Sequence, residues 1–296
     1  MCDEFTALAD EAALAKRGLS RRQFAAIGAV AVGTIAAYPV HAQVVAGEGE
    51  ASLTEGVVNI KTKDGTMDAF FVHPAEGKHK AVIMWPDIAG LRDAYMEMAR
   101  SLAKEGYSVL AVNHYYRSAK APIMNSISEF FAAGGREKLT PMIQKITNPK
   151  IVEDAKAIVA WLDQQPSVDT TKKIGTEGYC MTGSYAVRTA AAVPDRVGAA
   201  CSFHGGQLVT QAADSPHKLL KDSNAVFLFA IAQNDDAQAP TDKIELRHAA
   251  EQGNRAARVE VFHADHGWCT IDSASYHKVE AERARQYSLW HYGRKL

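Results

Sequence analysis

Gly-Tyr-Cys-Met-Thr-Gly, residues 178–183, lies between a strand-like run at 172–176 and a helix-favouring run at 184–193. A turn from a strand into a helix is the geometry of a nucleophile elbow, which holds the central residue in a strained backbone conformation with its reactive atom exposed. The elbow needs small residues close to the nucleophile on both sides, and Gly178 and Gly183 provide them. The stretch therefore predicts that Cys180 is a nucleophile. The alternative is a small buried core thiol, a common setting for free cysteine.

Candidate partners follow in the chain order nucleophile, acid, histidine. The apolar run 225–231 predicts a buried parallel strand, and Asp235 and Asp236 come just after it. The run 258–262 alternates like a strand and leads to His266. An aspartate that accepts the imidazole N–H would fix the tautomer, so that the other ring nitrogen takes the thiol proton.

Each partner also has a plainer interpretation. Asp235 and Asp236 are residue types that cap helices, so either could only begin the next helix. His263 or His204 could be the base instead, which would leave His266 as an ordinary surface histidine. Three residues at strand ends in the correct order favour the catalytic interpretation.

The chain resembles the dienelactone hydrolase family, cysteine-dependent α/β-hydrolases that open unsaturated lactones. The resemblance runs from about Gly56 to the C-terminus and rests on three motifs, here Gly178-Tyr179-Cys180, Ala232-Gln233-Asn234-Asp235 and His266-Gly267-Trp268. It implies a catalytic triad of Cys180, Asp235 and His266, and so favours Asp235 over Asp236. It also implies a substrate-binding or gating position for Trp268.

An upstream strand and turn, residues 81–90, resembles the family's oxyanion loop. The resemblance places Asp87 against the resting cysteine and turns the Ile88 N–H towards the substrate carbonyl. An oxyanion hole needs a second N–H from the residue after the nucleophile, which is Met181. Asp87 would disfavour ionisation of a nearby thiol by like-charge repulsion, a gating role. Alternatively, Asp87 caps the helix expected at 92–104.

Three positions bear on the substrate. Thr182 stands where the family often has glycine, which predicts a slightly more open elbow. Thr270 stands where well-studied members have an arginine that holds the substrate carboxylate, so dienelactone itself is in doubt as the substrate. Arg117 matches an arginine common in the family and could bind an acidic substrate, although a surface ion pair is the plainer expectation.

Two further residues near the predicted site are unusual. Glu177 places a carboxylate in the central strand, where a charge must be paired or protonated. We expect it to brace the elbow, with tuning of Cys180 as the alternative. Cys269, three residues after His266, is expected to fill the core, although oxidation near the site is the other possibility.

The rest of the chain predicts an α/β-hydrolase fold, with a mainly parallel sheet and helices on both faces. Residues 56–61 and 66–73 flank an Asp-Gly turn and predict an N-terminal antiparallel hairpin at the sheet edge. Residues 151–162 carry one apolar helical face. The long, poorly periodic segment 118–149 predicts a partly helical cap over the substrate pocket.

The first 42 residues predict a signal peptide. Two arginines, Arg21 and Arg22, precede an uncharged run at 25–38 that ends in a cleavage-like site, a pattern typical of twin-arginine export signals. An uncleaved anchor or an N-terminal amphipathic helix is the alternative. We therefore predict a signal at 1–42, a linker at 43–55 and a hydrolase domain at 56–296, delivered to the periplasm by the twin-arginine machinery with no stable membrane anchor.

Composition predicts a single soluble domain that acts on a small molecule. The sequence has 33 Lys and Arg and 34 Asp and Glu, and the net charge of −1 does not indicate nucleic-acid binding. Removal of Cys2 with the signal leaves three of the four cysteines, which is no disulfide framework. We expect a monomer with no metal and no cofactor that hydrolyses a small ester or lactone. The alternatives are a thioesterase or general carboxylesterase, and a non-catalytic exported binding or redox-sensing protein.

Overall fold

A nine-stranded sheet runs through the part of the protein that the structure describes. The structure is a computed structural model that describes residues 43–45 and 52–296. Within these residues the strand order is β1-β2-β3-β5-β4-β6-β7-β8-β9. The strands are β1 Gln43–Val45, β2 Leu53–Thr62, β3 Gly65–Pro74, β4 Lys80–Trp85, β5 Tyr107–Val112, β6 Ile174–Tyr179, β7 Val197–Phe203, β8 Val226–Ala232 and β9 Ala257–Phe262.

Strands β5, β4, β6, β7, β8 and β9 pair in parallel. All residues of β5, β6 and β7 are buried, as expected for parallel strands covered on both faces. The carboxyl ends of these strands form one edge of the sheet, which is where ligands bind in such folds. The predicted α/β-hydrolase fold with a mainly parallel sheet is confirmed.

Helices cover both faces of the sheet, also as predicted. They are α1 Asp93–Lys104, α2 Ile127–Phe131, α3 Gly135–Ile143, α4 Asn148–Leu162, α5 Gly183–Ala192, α6 Gln233–Gln238, α7 Asp242–Gln252 and α8 Lys278–Lys295. Residues of α4, α5 and α7 pack into one core cluster with one face of the strands. Residues of α1 and α8 pack into a second cluster on the opposite face.

The predicted hairpin is strands β2 and β3, which pair antiparallel over their whole length. Its turn closes between Thr62 and Gly65, and Gly65 has φ +137°, a conformation that L side chains rarely adopt. The hairpin is not the outermost element, because β1 pairs antiparallel with β2. Residues 43–45 and 53–55, predicted as linker, thus belong to strands of the sheet.

The segment 118–149 contains α2, α3 and the start of α4, in agreement with a partly helical cap. Its apolar side chains join the loop after β4 in a third cluster that includes Ile88, Ile127 and Phe130. The predicted signal peptide, residues 1–42, lies outside the described residues. Among the helices that are described, none is long and apolar enough to cross a membrane.

Candidate active site

Cys180 lies at the turn between β6 and α5. Its φ of +56° is in the left-handed region, the strained conformation of a nucleophile elbow. A Cβ at Gly178 would lie 2.0 Å from the carbonyl oxygen of Thr182, and one at Gly183 would lie 2.3 Å from Ser202 Oγ. Neither position therefore accepts a side chain, which explains the two glycines that flank the cysteine.

Thr182 braces this turn. Its hydroxyl donates to the Trp85 carbonyl oxygen at 2.7 Å and accepts the Tyr179 N–H at 3.0 Å. The side chain is fully buried, so these bonds are shielded from water. Thr182 thus joins the elbow to the end of β4, where the predicted oxyanion loop begins, and a more open elbow stays a prediction.

His266 is held by Asp235, the aspartate that the family resemblance favoured. Its Nδ1 lies 2.8 Å from Asp235 Oδ2, and its backbone N–H donates to Asn234 Oδ1 at 2.8 Å. Asp235 follows the end of β8, and His266 follows the end of β9. The neighbouring Asp236 is instead bound by Lys243, at 2.6 Å.

His204 lies beside both Cys180 and His266. Its Nδ1 accepts the Cys180 backbone N–H at 3.1 Å, and its ring centroid is 4.8 Å from that of His266. Burial, with a contribution from His266, lowers the pKa of His204 well below its usual value. His204 is therefore a neutral ring that supports the backbone of Cys180. His263, the other alternative base, is exposed.

The loop after β4 is fixed through its own backbone. The Tyr115 hydroxyl donates to the Ile88 carbonyl oxygen at 2.8 Å, and Tyr115 is itself buried. Gly90 has φ +83°, and a Cβ there would come within 3.2 Å of the Tyr115 ring. These contacts hold the Ile88–Ala89 peptide and the turn at Gly90, next to the peptide that carries the Ile88 N–H. Met181 follows Cys180 directly in the elbow.

Asp87 is bound by an arginine that sequence reasoning passed over. Arg92 donates from Nη1 and Nη2 to the two Asp87 carboxylate oxygens, at 2.8 and 2.9 Å. The same guanidinium donates from Nε and Nη2 to Asp272, at 2.8 Å each. Asp272 also accepts the Ile127 N–H at 3.1 Å. One buried guanidinium thus joins the oxyanion loop, the loop after His266 and the cap.

The contacts of Asp87 argue against the helix-capping interpretation, whereas its gating of Cys180 stays a prediction. Its carboxylate is neutralised by Arg92 and also accepts the Ala89 N–H, at 2.9 Å. The first residue before α1 has no side-chain cap, so Asp87 does not cap that helix. No pattern in the sequence signals the pairing, because Asp272 is 180 positions from Arg92.

Two of the predicted substrate-binding residues lie elsewhere. Arg117 is bound by Asp154, at 2.7 and 2.8 Å, and by Asp64, at 2.6 Å. It therefore forms ion pairs, but the Arg117 and Asp154 side chains are buried rather than at the surface. Trp268 is fully buried, stacked on Phe262 with centroids 5.2 Å apart and edge-on to His204. Neither side chain lines the cavity at Cys180.

Four of the candidate residues, Cys180, His266, Asp87 and Ile88, line one small cavity of about 20 Å³. The alternative base His204 and Thr270 also line it, as do four residues that the sequence did not single out: Ile127, Phe131, Gly267 and Ser273. None of these lining residues is Arg or Lys. The volume admits little more than one water-sized group.

No group of three or more His, Cys, Asp or Glu residues in the described part of the chain is placed to hold a metal ion. The three cysteines in that part, Cys180, Cys201 and Cys269, are buried and form no disulfide. The side chains that line the cavity at Cys180 supply a thiol, two imidazoles, the Asp87 carboxylate and the hydroxyl groups of Thr270 and Ser273.

A mainly parallel sheet with a strand-to-helix elbow at its carboxyl edge, followed by an acid and a histidine after later strands, defines an α/β-hydrolase. The chain belongs to the dienelactone hydrolase family, whose model matches residues 67–292.

Relatives agree with this membership. A carboxymethylenebutenolidase candidate of Yersinia pestis is 24% identical over 79% of this chain and 86% of that protein. Another, of Methylorubrum extorquens, is 27% identical over 57% of this chain, and the match spans only 55% of that protein.

Solved structures show the same fold. A dienelactone hydrolase candidate from Klebsiella pneumoniae has a TM-score of 0.70 at 23% identity, with 82% of this chain and 99% of that chain covered. The dienelactone hydrolase from Anabaena variabilis has a TM-score of 0.56 at 16% identity, with 82% and 99% covered.

Proposed function

We propose that the protein hydrolyses a small carboxylic ester or lactone through a Cys180–His266–Asp235 triad. The observation that carries the proposal is the 2.8 Å contact of His266 Nδ1 with Asp235, made by a histidine that shares a cavity with Cys180. Because Asp235 accepts the Nδ1 proton, the Nε2 lone pair of His266 is available as a base.

The reaction has two stages. His266 Nε2 takes the thiol proton as Cys180 Sγ attacks the carbonyl carbon, and the collapse of the tetrahedral intermediate breaks the bond to the alcohol oxygen, which receives that proton. The product is an acyl group on Cys180 in a thioester. His266 then takes a proton from water, hydroxide attacks the thioester, and the carboxylic acid leaves as the thiol is restored.

The oxyanion would be bound by the backbone N–H groups of Ile88 and Met181. The Tyr115 hydroxyl holds the adjoining Ile88–Ala89 peptide, and this supports the assignment because it restricts the loop that carries the Ile88 N–H. The N-terminus of α5 directly follows the elbow and favours negative charge near Cys180.

We further infer that the substrate is neutral. The residues that line the cavity include no Arg or Lys, and Arg92, the nearest guanidinium to Asp87, already binds two carboxylates. A substrate carboxylate would therefore lose its bound water on entering the cavity and gain no cationic partner in return. This differs from the resemblance, in which an arginine holds the carboxylate of dienelactone.

The test is turnover of p-nitrophenyl acetate and of an uncharged lactone by the purified full chain, Cys180→Ala and His266→Ala. We expect both variants to lose turnover while they remain folded by circular dichroism. Cys201→Ala is the matched control, since it removes another buried cysteine that does not line the cavity, and it should retain turnover. Unchanged turnover in Cys180→Ala would overturn the proposal.

The same assay separates the alternatives. Preference for an acyl thioester over both oxygen esters would indicate a thioesterase on the same triad. Absence of turnover on all three substrate classes by the folded protein would instead favour an exported binding or redox-sensing protein.

Export is a second part of the proposal. We infer that residues 1–42 are a twin-arginine signal, supported by Arg21 and Arg22 ahead of the uncharged run 25–38. Replacement of both arginines by lysine should keep the protein in the cytoplasm, whereas Arg17→Lys should not. Periplasmic delivery of the double variant would contradict export by this route.

A further inference from the structure

A second and larger cavity, of about 290 Å³, lies away from the catalytic residues. It opens between α1 and α8 on the sheet face that these two helices cover. Its apolar wall is formed by Met84, Met98, Leu102 and Phe203. The volume is close to the lower end of the range for small-molecule sites. None of its lining residues lines the cavity at Cys180.

A buried carboxylate lies in this cavity. Glu177 is 3% exposed, and its two oxygens accept the hydroxyl groups of Tyr179, at 3.0 Å, and Tyr292, at 2.8 Å. Two neutral hydroxyl groups brace the side chain but supply no positive charge. A buried carboxylate is normally paired with a cation, so Glu177 retains an unmet preference for one.

The charged groups around the cavity strengthen that preference. Arg285 is the only basic residue among those that line it, and its guanidinium is taken up by Glu105, at 2.6 Å, and Glu282, at 3.6 Å. Glu97, which Arg100 binds at 3.4 Å, and Glu282 add two more carboxylates at the rim. Glu177, when ionised, is therefore the one carboxylate of the lining that has no arginine partner within salt-bridge distance.

The other ionisable groups that face Glu177 carry no charge. Cys201 on β7 and Cys269 after β9 are thiols whose pKa values are raised by burial and then by Glu177. The phenols of Tyr179 and Tyr292 also have raised pKa values, with burial as the main cause. None of these groups can supply the missing positive charge.

We propose that this cavity binds a small organic cation with an apolar body, whose ammonium group contacts the Glu177 carboxylate while its body packs on the methionine, leucine and phenylalanine side chains. The site is separate from the proposed ester chemistry. It nevertheless touches the elbow, because Glu177 and Tyr179 belong to the strand that ends at Cys180.

Binding should depend on pH in a defined direction. Burial raises the pKa of Glu177 to about 7, against which the Tyr292 and Tyr179 hydroxyl groups and Arg285 act only in part. A cation binds the ionised form, so binding requires loss of the Glu177 proton as pH rises. The ionised fraction grows about tenfold between pH 6 and pH 8, and affinity should grow with it.

Isothermal titration of the full chain with benzylamine tests the proposal, with benzyl alcohol and benzoate as neutral and anionic probes of the same shape. We expect benzylamine to bind most tightly of the three, and about tenfold more tightly at pH 8 than at pH 6. Glu177→Gln should weaken benzylamine binding about 10- to 100-fold at pH 8. Glu251→Gln, which removes an exposed carboxylate on α7, is the matched control and should leave it unchanged.

Two more variants keep the test decisive. Ala281→Leu fills the cavity from α8 without altering Glu177 and should also weaken binding, whether or not Glu177→Gln folds. Cys180→Ala should bind benzylamine as the unmodified chain does, since the site is not the catalytic one. The proposal is overturned if benzylamine binds no better than benzyl alcohol, if Ala281→Leu binds it unchanged, or if Cys180→Ala loses it.

Discussion

Glu177→Gln should stabilise the protein at neutral and higher pH, although it removes a buried hydrogen-bonded group. The folded-state pKa of Glu177 is about 7, against an ordinary value of 4.5, chiefly because burial disfavours the charged form. A carboxyl group whose pKa is raised on folding contributes stability below its unfolded pKa, and this contribution is lost as pH rises through the folded pKa. The shift of the Glu177 pKa from 4.5 to about 7 corresponds to about 3 kcal/mol in the free energy of unfolding.

Urea unfolding of both proteins from pH 4.5 to pH 8 measures this effect. Other titrating groups are shared, so they cancel in the difference between the two free energies of unfolding. We expect the free energy of the variant relative to the unmodified chain to rise with pH between about 4.5 and 7 and then to level off, with a total change of about 3 kcal/mol. A difference that stays constant within about 0.5 kcal/mol across this range would contradict the burial of an ionisable carboxyl group at this position.

Three other variants test the neighbourhood of Cys180. Arg92→Met should lower the free energy of unfolding by about 3–5 kcal/mol in urea, because it leaves buried carboxylates uncompensated; a loss below about 1 kcal/mol would contradict the buried network. Asp235→Asn should reduce kcat for p-nitrophenyl acetate about 10³- to 10⁴-fold, whereas Asp236→Asn, the matched control, should stay within about twofold; equal effects would contradict the assignment. Phe131→Ala should raise kcat/KM for the butyrate ester relative to the acetate about tenfold, because it widens the small cavity; an unchanged ratio would show that Phe131 does not limit the acyl group.

Short-range patterns in the sequence were enough to predict most of the sheet. The alternating run 258–262 lies within β9, and the run 225–231 is β8 displaced by one residue. The hairpin followed from an Asp-Gly turn between two alternating runs. Each of these patterns spans only a few consecutive residues, so it can be recognised in the sequence alone.

Two elements of the fold had no such signal. Strand β7, Val197–Phe203, is rich in small residues, which favour no particular element. Helix α8 lacks a clean apolar stripe, since Val279 and Trp290 are exposed whereas Ser288 and His291 are buried. Its position depends on packing against the sheet rather than on its own periodicity.

Part of the candidate site could also be predicted from the sequence, and part could not. The elbow and its partners were predicted because their motifs are contiguous, and the structure brings Asp235 and His266 to 2.8 Å. The Arg92 network and the contact of His204 with the Cys180 backbone join residues distant in sequence, so only the fold reveals them. The ion pairs of Arg117 with Asp64 and Asp154 also join residues distant in sequence, so the sequence alone left a substrate-binding role for Arg117 open.

Trapping of the acyl-enzyme tests the proposed chemistry most directly. The full chain is mixed with p-nitrophenyl acetate, quenched in acid within the first turnovers, digested and mapped by mass spectrometry. A covalent mechanism at the elbow predicts that the peptide containing Cys180 is acetylated in the unmodified chain. The same peptide should not be acetylated in His266→Ala. Acetylation confined to other residues, or steady turnover with Cys180 never modified, would contradict a cysteine nucleophile in this protein.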